Sequence, residues 1–300
     1  MKLGNTVFCL LLLGGLSTSC IREDLSDCFS TNTLLLSYKG DGETEIFGDK
    51  ICRVEMYVFD AENRCVANGV LPPNEVEARA AKLPQLKPGD YRIVCLGNTH
   101  HTQVGNVASC DFSRITFADG GYFAGGTVSG NDSLYYATTP FTVEPFTGRE
   151  DDNKTRLASS HYDVSVEVAG IPDAGMNAAA ASMPTLEICG VSPCTDFENR
   201  ACGEATDYLL ETEYDGGSNL LTARTNIMRH TDHSQVGVCL RSPDGRTLLA
   251  EVNLAEFLAE NPVIDCSRNE VLIPIRMEFV SGKVVVTVPE WYIEDVKPEF

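Results

Sequence analysis

The chain has 300 residues, with 43 Asp and Glu against 23 Lys and Arg and a formal net charge of −20. Nucleic-acid binding needs clustered cations, so that partner class is excluded. A hydrophobic content of 43% is that of a globular rather than a disordered chain, and the length allows two cores of ordinary size.

The first element is a leader. Lys2, the apolar run Val7–Leu13 and the small residues from Gly14 to Ser19 have the three-part layout of a secretory signal peptide. The run is broken by Gly14 and Gly15 and falls well short of the roughly 20 apolar residues that span a bilayer. Residues 1–19 are therefore expected to be removed. Leu16-Ser17-Thr18-Ser19-Cys20 resembles a bacterial lipobox, in which the cysteine thiol is acylated and becomes the first residue of the mature chain. One acyl chain binds a membrane marginally and several bind stably, so a multiply acylated Cys20 would be a lasting anchor. Residues 20–30 then read as a lipidated tether. Within it, Arg22-Glu23-Asp24 resembles the acidic signal that sends lipoproteins to the outer face of the outer membrane, with Glu23 and Asp24 as its acids.

Beyond the tether almost every periodic segment reads as strand. "TLLLSYKGDG" (33–42) ends in a Gly-rich turn. "RVEMYVFD" (53–60) sets Val54, Met56 and Val58 against Arg53, Glu55 and Tyr57, the pattern of a half-buried strand with one apolar face. "YRIVCLGN" (91–98) follows the turn Lys87-Pro88-Gly89-Asp90. Residues 119–132, "DGGYFAGGTVSGND", read as a flexible loop, and 140–155 as a short strand running into a polar link. "HYDVSVEVAG" (161–170) restarts the alternation. Hairpins are expected through Asp215-Gly216-Gly217-Ser218, through Pro243-Asp244-Gly245 and across Ser281-Gly282, with helix only at "LAEFLAE" (254–260) and "GMNAAAASM" (175–183). The expected fold is all-β: a sandwich over residues 31–150, a link near Gly148–Lys154, and a second sandwich over 155–300.

Twelve cysteines are present, and the ten after Cys20 would meet an oxidising compartment, so disulfides are expected with connectivity left open. Cys189, Cys194 and Cys202 invite a zinc reading, but no CxxC pair occurs and His161, His230 and His233 give no standard ligand spacing. Gly126-Thr127-Val128-Ser129-Gly130 displaces its serine from the GxSxG elbow, and neither a phosphate-binding loop nor HExxH is present. His100-His101 and His230-x-x-His233 fall where histidines are usually solvated. No catalytic residue, metal or cofactor is assigned, which disfavours an enzyme.

Four blocks, "SCIREDLSDC" (19–28), "ICRVEMYVFD" (51–60), "LKPGDYRIVCLGN" (86–98) and "RLASSHYDVSVEVAG" (156–170), resemble the anchor-subunit lipoproteins of Bacteroidales fimbriae (FimB type, type V pili). The resemblance implies two tandem transthyretin-like β-sandwich domains, a lipid-anchored place at the fimbrium base on the cell outer membrane, and fimbrial rod subunits as partners joined by strand addition. It points to the C-terminal "KVVVTVPEWYIEDVKPEF" as a donor strand, with Val284, Val286 and Val288 on one face. The alternative is an ordinary last strand with Trp291 in the core. "DSL" at Asp132–Leu134 resembles an O-glycosylation sequence, with Ser133 exposed in its loop. A tip adhesin of the same pilus and a surface glycan-binding lipoprotein are the rival functions. The second should expose aromatic platforms, and Tyr122, Phe123, Tyr135 and Tyr136 form the one such cluster in the sequence.

Overall fold

The computed structural model describes residues 33–144, 152–172 and 183–295. Its architecture is five sheets. In the first half, a three-stranded sheet, β4 (Ala80–Lys82), β1 (Thr33–Ser37) and β9 (Asp152–Arg156), packs on a five-stranded one ordered β10 (Ala158–Ser159), β8 (Tyr135–Val143), β5 (Gly89–Gly97), β2 (Val54–Asp60) and β3 (Cys65–Val70). Leu34 and Leu36 from β1 meet Val54, Met56, Val58, Ile93 and Cys95 from β2 and β5 in one buried core.

The second half is also a sandwich. One sheet runs β16 (Thr212–Asp215), β17 (Leu220–Met228), β11 (His161–Ala169), β20 (Leu272–Val280) and β21 (Lys283–Thr287). The facing sheet runs β15 (Thr206–Leu209), β12 (Thr185–Val191), β18 (Gly237–Arg241) and β19 (Leu248–Asn253). Val164, Val166 and Val168 fill its core with Leu186, Ile188, Val238 and Ile275, as the alternation of residues 161–170 requires. A helix, α4 (Leu254–Glu260), starts on an Asn253 cap whose side chain accepts the Glu256 amide, and it lays Leu254 and Phe257 on that core.

A fifth sheet was not legible in the sequence pattern. It is ordered β14 (Ala201–Cys202), β13 (Cys194–Asp196), β7 (Thr116–Asp119) and β6 (Thr102–Gly105), so two strands come from each half of the chain. The expected loop at 119–132 enters it through a paired strand and a one-turn helix, α3 (Gly120–Phe123). This sheet lies over the outer face of the five-stranded first-half sheet. Tyr57, Phe59, Val94, Leu96 and Tyr136 on that face pack with Phe112, Phe117 and Phe197 into a third core. Phe59 meets Phe112 and Tyr57 meets Phe197 edge-on, at centroid distances of 4.7 and 5.2 Å, which suits the ring quadrupoles. The expectation that β2 has a single apolar face is therefore corrected: Tyr57 and Phe59 are covered by the first-half segment carrying Phe112 and Phe117 and by Phe197, which crosses from the second half.

Three further differences have local causes. β9 pairs in parallel with β1, and β10 pairs with β8, so pairing carries the first sandwich to Ser159 and the expected link at 148–154 runs into a strand. Trp291 is in neither a strand nor the core: Pro289 ends the ladder, and Trp291, 40% exposed, sits in α5 (Glu290–Asp295) and donates its Nε1–H to Glu167 Oε1 at 2.8 Å. His230 is buried rather than solvated, wedged edge-on against Tyr162 and His233. The expected helix at 175–183 lies, up to residue 182, outside the described residues.

Phe197 is the one aromatic ring that the second half contributes to the third core. Phe197→Ala is expected to cost about 3–5 kcal/mol in denaturant unfolding, as for large buried rings, whereas Phe123→Ala, at an exposed ring, should stay within about 0.5 kcal/mol.

Candidate functional site

The candidate sites are the seam between the sandwiches, where Lys50, Tyr135, His161 and Glu270 line one cavity, and the sheet edges open to a partner. The seam is organised by residues preceding β20. Glu270 accepts from Tyr38 Oη, from Lys50 Nζ at 2.8 Å and from Tyr135 Oη at 3.3 Å, all three donors coming from the first sandwich. Asp41 reaches in the other direction, accepting the Asn269 amide at 2.7 Å and the Glu270 amide at 3.3 Å. Burial works against the charged form of Glu270, but the hydrogen bonds from Lys50 and Tyr38 outweigh it and hold the carboxyl below its usual range. Burial and the Glu270 carboxylate together push the Tyr38 phenol upward.

Asn98 is a second organising residue. It sits in the left-handed region at φ 60°, where asparagine is tolerated, and this turns the chain after β5. Its Oδ1 accepts the Cys52 amide, and its Nδ2 donates to the carbonyls of Lys50 and Ser133. Neither Asn98 nor Glu270 belongs to a periodic pattern, so the sequence carried no signal for them beyond the Gly97-Asn98 strand stop.

The residues expected to carry function are placed unevenly. Cys20, Glu23 and Asp24 lie outside the described residues. Ser133 is half-buried rather than exposed: Asn98 Nδ2 reaches its Oγ at 3.3 Å, Leu134 beside it is fully buried, and the Asp132 carboxylate is taken up by the amides of His101 and Thr102. A transferase acting on Ser133 would therefore have to open this turn or act before it closes. The donor-strand candidates form part of their own sandwich. Val284 and Val286 pack against the second core, and Val288 is only 8% exposed within it. β21 pairs with β20 alone and is the last strand of its sheet, so its outer row of backbone groups has no strand partner among the described residues.

Cysteines that invited a zinc reading are separated. Cys194 and Cys202 face each other across β13 and β14, whereas Cys189 meets Cys239. Among the described residues no group of three or more His, Cys, Asp or Glu could hold a metal ion, and no helix is long and apolar enough to cross a membrane. The aromatic cluster is not a binding platform either: Tyr135 and Tyr136 are buried, and only Phe123 of the four is more than a third exposed.

The family model for fimbrillin-A associated anchor proteins Mfa1 and Mfa2 matches residues 25–297. Among solved structures, a candidate adhesin from Bacteroides ovatus superposes with a TM-score of 0.68 at 13% identity, covering 88% of this chain and 95% of the other. The fimbrial anchor protein Mfa2 from Porphyromonas gingivalis superposes at 0.65 and 17% identity, covering 87% and 96%. At these identities the structural likeness shows the fold alone. Among curated proteins, none matches the chain in sequence.

Because the Glu270 carboxyl is depressed by folding, its contribution is present above the unfolded value near 4.5 and is lost as pH falls through the folded one. Glu270→Gln is expected to lower stability at pH 7 by about 1.5–3 kcal/mol, the range for hydrogen bonds to a charged group. In a pH series of thermal unfolding the variant and the parent should converge as the pH falls from 4.5 through the folded value of Glu270.

Proposed function

The chain belongs to the family of fimbrillin-A associated anchor proteins, and from that premise we propose that it is the non-enzymatic subunit that ties a fimbrial rod to the outer membrane. The observation that carries the reading is the family match over residues 25–297, taken together with the cysteine seam at residue 20. In this reading Cys20 carries the lipid, Glu23 and Asp24 route the protein to the exterior, and the two sandwiches stand between membrane and rod. A net charge of −20 keeps such a body off an anionic surface.

The rod contact is strand addition at β21. Withdrawing β21 as a donated strand would uncover Ile275 and Met277, both fully buried, and strip Val288 from the core. Its outer edge can pair without that cost, main-chain hydrogen bonds giving affinity and alternate side chains giving specificity. Val285, 46% exposed and alternating with the half-buried Val284 and Val286, is the side chain free to meet an incoming strand.

Cys20→Ala is expected to move the protein from the membrane fraction to the soluble one and to release pili with it. A tip position predicts instead that the protein leaves with sheared pili while Cys20 is intact. Replacing Glu23 and Asp24 by Ala should keep lipidation but reduce digestion by protease added to whole cells. Val285→Lys should leave the thermal midpoint nearly unchanged and weaken pilus retention under shear. Full retention by that variant would place the contact away from β21.

A further inference from the structure

Nine cysteines are described, and two pairs of them stand apart from the rest. Cys189 Sγ lies 2.9 Å from Cys239 Sγ, and Cys194 Sγ lies 3.0 Å from Cys202 Sγ, against a bonded separation of about 2.05 Å. No other two described thiols are hydrogen-bonded to one another. Cys95 is fully buried, with its thiol pushed up to about 12 by burial alone, and Cys52 leans toward Asn98 and His100.

Register explains both pairs. Cys194 and Cys202 are directly opposed in the antiparallel β13–β14 ladder, where opposed Cα atoms stand about 4.5–5.5 Å apart, within the range that a disulfide spans. Cys189 opposes Gly237, and Cys239 opposes Glu187, so the second pair is diagonal across β12 and β18. That diagonal is real in this sheet: Glu187 and Arg241, related by the same step two residues along, are joined at 2.5 Å. Gly190 then takes φ +73° in a bulge where an added Cβ would stand 2.1 Å from the Gln235 carbonyl oxygen, and the chain leaves the sandwich there.

We infer that Cys189–Cys239 and Cys194–Cys202 close as two cross-strand disulfides, bracing the segment that carries Phe197 from the second sandwich to the first. The inference rests on the exported location for its oxidising compartment. Each closure removes two thiol protons and two electrons, and a donor disulfide accepts both to become a dithiol. In the first step one thiolate attacks the donor and forms a mixed disulfide, expelling a donor thiolate. The second cysteine of the pair then attacks its partner's sulfur and releases the other donor thiol. Cys239 is the natural first nucleophile of its pair, since the Cys189 thiol donates to it and favours its thiolate form, whereas in the Cys194–Cys202 pair either thiol can donate to the other.

The full chain, purified from cells with free thiols trapped by N-ethylmaleimide and digested without reductant, should yield two linked peptide pairs, 189 with 239 and 194 with 202, each two hydrogens lighter than its parts. Reductant should lower the thermal midpoint by several degrees, and a variant with Cys189→Ser, Cys239→Ser, Cys194→Ser and Cys202→Ser should show no such response. The same links formed in a glutathione-disulfide buffer but not in cells would support the pairing and overturn the exported location. Trapped thiols at all four positions after that buffer, or links to other cysteines, would overturn the pairing itself.

Discussion

The outer face of the five-stranded first-half sheet is the constraint on which the rest of the molecule turns. It carries Tyr57, Phe59, Val94, Leu96 and Tyr136, too much apolar and aromatic surface to leave in water, and Phe112, Ile115 and Phe117 of the first half cover it only together with Phe197 of the second. Part of the cover comes from the second half of the chain. Tyr136 Oη donates to the Phe197 carbonyl at 2.6 Å in a buried setting, so the polar end of the ring and the backbone of the crossing segment satisfy one another. The Phe197 amide donates in turn to the Ile115 carbonyl at 2.9 Å. A residue from the second half thus completes both the packing and the hydrogen bonding of the first, and neither half has a finished surface by itself.

That dependence explains why the seam can be polar. Since the third core supplies the apolar contact, Glu270, Asp41, Asn269 and Lys50 need only fix the relative setting of the sandwiches. Charged hydrogen bonds with defined directions do this better than a greasy interface would. Thr225 Oγ1 bonded to the Ser129 carbonyl, and Gly130 packed so closely that a Cβ would stand 1.9 Å from that hydroxyl oxygen, add a second fixed point on the opposite loop. A side chain at residue 130 would therefore have to displace the Thr225 hydroxyl from this contact.

Strands whose faces differ in exposure were legible in the sequence. The residues of β11 alternate through Val164, Val166 and Val168, the hairpins at 215–218, 243–245 and 281–282 close where Gly and Asp signal them, and α4 starts at its cap. What escaped was set by distant covering. Tyr57 and Phe59 read as an outer face because local periodicity cannot register a segment that arrives from some 140 residues away, and short strands such as Thr116–Asp119 and Cys194–Asp196 offer too few residues for any period to show. The same limit hid the cysteine partners. Cys194 and Cys202 lie on one hairpin, but Cys189 and Cys239 meet only after the register of β12 against β18 is known. For the candidate sites the sequence supplied the residues of β21 and its alternation, while its place at a sheet edge with one face seated on the core is a property of topology alone.

The two edges of the sheet that ends in β21 differ in a way that bears on recognition. β16, at the far edge, is exposed throughout and carries Glu213 and Asp215, which disfavours pairing with another copy of so acidic a chain. In β21 the one charge is Lys283, and Val285 faces outward between half-buried valines. An edge strand with that composition resists a second copy less by its own charge than by the acidic body behind it. A strand from a different, less acidic subunit would meet no such repulsion. In the strand addition proposed at β21, long-range charge would discriminate between partners before any backbone hydrogen bond forms, and the ladder would then read the register of the strand admitted.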